Sequence, residues 1–254
     1  MKRFMMVTAA LAGLTLATAP ATASVPVTAR PDAAACVLPV FGPGAGYLPT
    51  IVPAQFSANV DNPWFPLKPG TTYVYAGTKD SAQAVNVFAP SDKTLVVDGV
   101  VTRVVNDRLY LNGVLHERTS DYYAQDRCGN VWYFGEDTAT LDARGRVLSR
   151  DGSFRAGVGG AQPGVYMLAK PATGQPFRQE WFKGQAEDVF EVIGLNATAI
   201  APYGTFRNAL RTKETTALEP GVVDNKLFVR GIGQVEELAV KGPTEKLALV
   251  DVLR

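Results

Sequence analysis

The sequence predicts an all-β fold: a large antiparallel meander sheet, a partly closed barrel or sandwich, with few or no long helices. Three observations carry this. Asp98-Gly99 and Asn112-Gly113 each sit between runs of β-branched and aromatic residues, the signature of a two-residue hairpin turn. Glycine and proline, 24 and 17 of them, interrupt every stretch long enough to show a helical period. A hydrophobic content of 46% over 254 residues is enough to bury the core of one large β domain.

Lys2 and Arg3 open the chain, the apolar run "FMMVTAALAGLTLAT" (Phe4 to Thr18) follows, and "ATA" (Ala21 to Ala23) ends it. That order is a charged n-region, an h-region and an A-x-A cleavage site, so residues 1–23 read as an export signal. The apolar run is shorter than the roughly 20 residues that span a bilayer, and no later segment is a membrane-span candidate. Residues 24–55 are rich in Pro, Ala and Gly and read as an extended arm, and 56–254 as a single β-rich domain. The expected location is secreted or periplasmic.

Order begins at "VDNPWFPLKPG" (Val60 to Gly70), where three prolines forbid helix and Trp64 and Phe65 are placed to close one end of a barrel or sandwich. "TTYVYAG" and "AVNVFAP" read as strands. A meander of strands of roughly five residues follows from Thr94 through Tyr123, with Asn106-Asp107 expected as a further turn. "YAQDRCGNVWYFGEDT" (Tyr123 to Thr138) continues it as a hairpin whose loop is Arg127 to Asn130. Gly152 to Pro176 is Gly/Pro-rich and is expected as a long surface loop or a lid. "FRQEWF", "DVFEVIGL", "ATAIAPYG" and the C-terminal runs then return to strand. "GQAEDVFEVIG" is the best candidate for a helix, but its β-branched and aromatic content favours strand.

"VDNPWFPLKPG" and the hairpin motif together resemble a group of exported bacterial β-rich proteins. Shorter matches are Arg178 to Trp181, Ala186 to Asp188 and Leu218 to Gly221. The resemblance spans about Val60 to the C-terminus and implies export and a β-rich fold, with no mechanism attached. Cys128 lies outside the shared pattern.

Composition excludes several functions. With Lys2 and Arg3 removed, 23 basic residues face 24 acidic ones and no basic stripe survives, so nucleic acid is a poor partner. His116 is the only histidine, which excludes His-rich zinc sites, and there is no G-x-S-x-G. No zinc, EF-hand or cofactor framework is written in the chain, which leaves a hard-cation site built from carboxylates, such as calcium, as the open metal alternative. Cys36 and Cys128, the two cysteines, read as one disulfide, worth about 4–5 kcal/mol for a loop of roughly 90 residues. Asn196-Ala197-Thr198 matches a glycosylation acceptor.

Chemistry concentrates in the hairpin. With a four-residue loop, Tyr123 faces Phe134, and Asp121, Tyr123, Gln125, Trp132, Phe134 and Glu136 share one face. Asp121 and Glu136 then lie opposite each other and must share a proton or a cation. In "FRQEWF" alternation puts Arg178 and Glu180 on one face, with Glu187 and Asp188 nearby. Two function classes follow: a binding protein for a small or glycan-like ligand, using Tyr123, Gln125, Trp132, Phe134 and Arg178, or a carboxylate-based glycan hydrolase or lyase, with Glu136 as acid and Asp121 or Glu180 as base. A purely structural envelope protein is the third.

Overall fold

The computed structural model describes residues 37–42 and 44–254. The export signal and Cys36 lie outside the described residues. Residues 37–55 carry two short 3₁₀ turns and no strand. The strands are β1 (Phe56–Ser57), β2 (Thr72–Lys79), β3 (Ala82–Val97), β4 (Val100–Leu111), β5 (Val114–Asp126), β6 (Val131–Leu141), β7 (Val147–Ser149) and β8 (Phe154–Arg155). They continue as β9 (Gln162–Met167), β10 (Pro176–Arg178), β11 (Glu180–Trp181), β12 (Asp188–Ala201), β13 (Gly204–Thr216), β14 (Val223–Val229), β15 (Gly233–Lys241) and β16 (Glu245–Leu253). Every pairing is antiparallel and no α-helix occurs among the described residues, so the protein is all-β.

The hairpins form where the turn chemistry dictates. Asp98-Gly99 and Asn112-Gly113 both take the left-handed conformation at two successive positions that a two-residue turn needs, and Asp80-Ser81 does the same between β2 and β3. The strands are longer than expected, reaching 16 residues in β3. Asn106 and Asp107 are not a turn: β4 runs straight through them, paired on both sides. Turn-forming residues stand mid-strand there because Asp107 faces a polar interior, which supplies a reason for a carboxylate that propensity alone does not.

The sheet runs β10-β12-β13-β14-β15-β16-β2-β3-β4-β5-β6-β9-β11. Its two ends, β10 and β11, are separated in the chain by Gln179 alone, so this residue draws the ends together and the sheet curls into a nearly closed barrel. Gly164 of β9 makes the seam possible: a Cβ there would lie 2.2 Å from the Gln179 backbone. The Gly/Pro-rich stretch expected as a surface loop or lid instead contributes β8 and β9, with Phe154, Val165, Met167 and Leu168 buried. Its glycines serve close approach and turns between strands.

Phe65 closes the barrel as the proline-rich segment predicts. Its ring meets those of Phe88, Tyr123, Tyr166 and Phe228, from β3, β5, β9 and β14. One apolar cluster gathers around this plug, and a second, including Tyr73, Tyr75, Leu247 and Leu249, lines the wall where β16 meets β2.

Candidate functional site

The β5–β6 hairpin explains how the site is set. Asp126 N–H donates to Asn130 C=O, which leaves a three-residue loop, Arg127 to Gly129, with Gly129 left-handed. The register near the turn is therefore one residue tighter than a four-residue loop gives. Gln125 pairs with Val131, Ala124 with Trp132, and Tyr123 with Tyr133 rather than with Phe134. Phe134 is then the extra residue of a β-bulge, after which Tyr122 pairs with Gly135 and Asp121 with Glu136. The bulge restores the expected Asp121–Glu136 pair while changing which aromatics accompany it.

Asp121, Tyr123, Tyr133 and Glu136 face a cavity of about 280 Å³ inside the barrel. Asp107 and Leu109 of β4, Glu117 of β5 and Tyr166 of β9 add to its wall. From across the barrel come Gln179 and Glu180 at the seam, Asp188 of β12, Lys226 of β14, Glu237 of β15 and Glu245 of β16. Tyr123 and Tyr133 stack with ring centroids 4.7 Å apart, and Tyr166 meets both edge-on.

At the centre of this wall Tyr133 Oη lies 2.6 Å from Asp121 Oδ1 and 2.9 Å from Glu136 Oε2. Burial holds the phenol well above its ordinary pKa, so it is neutral and owns one proton. One proton cannot be donated to two carboxylates, so one of the two acids must itself be protonated and donate to the phenol oxygen. The electrostatics agree. Burial, together with Asp107 and Glu136, pushes Asp121 well above the carboxylate range, and burial raises Glu136 to about 8. Burial likewise raises Asp107 to about 7 and holds Glu180 well above its usual value. Asp121 is only 5% exposed, and its Oδ2 has no partner.

Of the residues singled out from sequence, Glu136, Asp121, Glu180 and Tyr123 line the cavity. Gln125, Trp132, Phe134 and Arg178 do not. Gln125 Oε1 accepts from the Asp61 and Asn62 N–H groups and so ties the proline-rich segment to β5. Trp132 and Phe134, displaced by the tighter turn and the bulge, both pack edge-on against Phe56 of β1, and Trp132 Nε1 donates to Asp126 Oδ2. Arg178 lies over the Trp181 and Phe41 rings and donates to the Gly42 carbonyl, clamping the arm. The expected alternation of Arg178 with Glu180 fails because the chain changes strand at Gln179, so that neighbours Gln179 and Glu180 both reach the cavity. Glu187 takes the Gly184 N–H in a local turn. Sequence reasoning missed Tyr133, Asp107, Glu117, Lys226, Glu237 and Glu245; only Glu117 carried a signal, since it alternates with Asp121 and Tyr123 along β5. Among the described residues no group of three or more His, Cys, Asp or Glu is arranged to hold a metal ion.

No family model and no curated protein matches the chain. Two solved structures resemble it. One, described as an exported protein with YmcC-like fold from Bacteroides fragilis, is 12% identical with a TM-score of 0.44, over 75% of this chain and 99% of that one. The other, described as a lipoprotein from Parabacteroides distasonis, is 10% identical with a TM-score of 0.41, over 74% and 97%.

Proposed function

We propose that the protein is an exported β-barrel that binds a small polar ligand in its lumen. The observation that carries this reading is the lining of the cavity. A barrel built only for stability fills its interior with apolar side chains. Here the space is walled by carboxyls and phenols, including a buried carboxylate oxygen without a partner, an arrangement that costs stability unless a ligand meets it. Replacing Leu247, in the cavity wall, by Trp fills the space without substituting a polar group. A panel of small polar compounds should raise the melting temperature of the parent protein and not of L247W. A panel that stabilises both equally, or neither, would sink the reading.

A second reading has its own observation in favour. The phenol that bridges Asp121 and Glu136 holds the acids no further apart than two hydrogen bonds end to end, about 5.5 Å, with one proton between them. That is the spacing of a carboxylate pair in retaining glycoside hydrolysis, which supports Glu136 as acid with Asp121 as the attacking carboxylate; a base role for Asp121 or Glu180 would belong to the wider spacing of an inverting pair. Turnover of any glycan by the parent protein that survives unchanged in Glu136→Gln would end this reading. Export itself is supported by the residues 1–23 pattern, and N-terminal sequencing of protein recovered outside the cytoplasm should begin at Ser24. A Cys36–Cys128 disulfide belongs to the same proposal; non-reducing peptide mapping should find the two cysteines in one linked fragment.

A further inference from the structure

The charge balance of the lumen says what kind of ligand it suits. Eight carboxyl groups line the cavity against two lysines and no arginine. Both lysines are occupied: Lys79 Nζ lies 2.6 Å from Glu245, and Lys226 Nζ lies 2.8 Å from Glu214 and 3.7 Å from Glu237. Asn86 and Gln234 each donate one amide hydrogen to an acid of the wall, Asp107 and Glu237. Asp107, Glu117, Asp121, Glu136, Glu180 and Asp188 form no ion pair among the described residues.

Acidic groups that meet water are ordinary, and the cluster alone would carry nothing. Asp121 supplies a separate observation. It is nine-tenths buried, lines the cavity, has one oxygen held by Tyr133 and leaves the other with no donor. Such an oxygen calls for a hydrogen-bond donor from outside the protein.

We infer that the lumen takes a small organic cation with more than one ammonium group, a diamine or polyamine; this rests on the lumen being the ligand site. An ammonium brings three donors, no acceptor and a positive charge, which matches a wall of eight carboxyls whose two lysines are already paired and whose remaining donors are few, the Tyr123 and Tyr166 hydroxyls and the Gln179 amide. A polyol brings no charge to meet the carboxyls, and an oxyanion brings acceptors only to a wall of eight carboxyls whose two lysines are already paired. A single metal ion is a poor match, because the acids are distributed over β4, β5, β6, β11 and β12 and no three converge on one point among the described residues. Charges spread along a chain suit acids spread around a wall. The methylenes between them would lie against Phe65, Tyr123, Tyr133 and Tyr166, whose ring faces also attract cations.

The test is calorimetric titration of the full chain with putrescine and spermidine, beside 1,4-butanediol, glucose, sodium phosphate and calcium chloride. Putrescine should bind at least about tenfold more tightly than butanediol, its uncharged counterpart of equal length. Asp121→Asn keeps an oxygen to accept from Tyr133 but cannot ionise against an arriving ammonium, and should weaken putrescine about tenfold or more. Glu180→Gln, at the opposite wall, does the same should D121N fold poorly. Glucose or butanediol binding as tightly as putrescine would overturn the inference while leaving a lumen ligand in place. Calcium or phosphate binding more tightly than the amines would overturn it too. Amine binding undiminished in both variants would put the amines elsewhere on the surface and overturn it, and silence from every probe, with no melting shift from the polar panel, would remove both readings.

Discussion

The two ends of the β5–β6 hairpin are made of the same residue types and behave oppositely. At the turn, Asp126 accepts from Cys128 N–H, Asn130 N–H, Asn130 Nδ2 and Trp132 Nε1, so both its oxygens are filled. Five residues earlier Asp121 is equally buried, yet one oxygen takes a phenol that it shares with Glu136 and the other takes nothing. Both ends carry buried aromatics beside a carboxylate. What separates scaffold from candidate site is polar satisfaction: the turn fills both oxygens of its acid from within the hairpin, and the lumen leaves an oxygen of Asp121 unfilled.

The contrast predicts mutations of opposite sign. Asp126→Ala strands four donors at the turn and should cost about 3–4 kcal/mol in urea unfolding, the largest effect of any single carboxylate removed here. Ligand affinity of the fraction that remains folded should not change. A loss below about 1 kcal/mol would mean that water replaces Asp126 easily, and the distinction between the two ends would blur.

At the other end the effect should depend on pH. A carboxyl whose pKa is higher in the folded chain than in the unfolded one holds its proton more tightly when folded. Its contribution makes stability fall as pH rises from about 4, the unfolded value, through the folded one. Burial puts Asp107 at about 7 and Glu136 at about 8. The ligand-free protein should therefore melt highest near pH 5 and lose stability steadily to pH 8. Glu136→Gln should be as stable as the parent at pH 5 and more stable at pH 8, by about 1–2 kcal/mol. A parent curve that rises between pH 5 and 8 would show that the lumen acids are ionised and compensated in the free protein.

How much of this was legible in the sequence follows from the range of each interaction. Turns written by two adjacent residues, Asp98-Gly99 and Asn112-Gly113, could be read directly, and so could the plug that three prolines force on Val60 to Gly70. Asp121 facing Glu136 was legible as well, because two features of the hairpin, a tighter turn and a bulge at Phe134, compensate each other. Neither feature is set by the hairpin's residue pattern alone: alternation survives a one-residue slip only with every side chain changing face. The rest of the lumen was not legible. Lys226, Glu237 and Glu245 meet Asp107 and Asp121 only because β16 pairs with β2 and because β10 and β11 bring the sheet's ends together at Gln179. Contacts made across more than a hundred residues leave no mark in a local window.

The bulge gives the next test. Gly135, beside the bulge, has φ near +144°, and a Cβ there would stand 2.4 Å from the Phe154 carbonyl oxygen of β8. Gly135→Ala should cost about 1–3 kcal/mol, by straining the backbone and pushing β8 from β6. Because Tyr122–Gly135 is the pair next to Asp121–Glu136, the variant should also lose ligand affinity. Stability lost with affinity intact would show that the acid pair tolerates movement of its support.

The smallest effect should come from Arg178, the residue in which the sequence pattern and the fold differ most. Its position one residue from the seam suggests an ionic partner for Glu180, yet its guanidinium lies 4.7 Å from the Trp181 ring and 5.1 Å from Phe41, and donates to Gly42. Arg178→Lys keeps the charge and removes the planar surface that rests on those rings, so it should cost about 1 kcal/mol and leave lumen binding unchanged. The loss should be felt locally: the segment around Phe41 and Gly42 should exchange its amide hydrogens and be cut by proteases faster, while β5 and β6 keep their protection. A fall in ligand affinity in R178K would instead tie the arm to the lumen through Gln179 and Glu180, and the boundary between scaffold and site would have to be drawn one residue earlier in the chain.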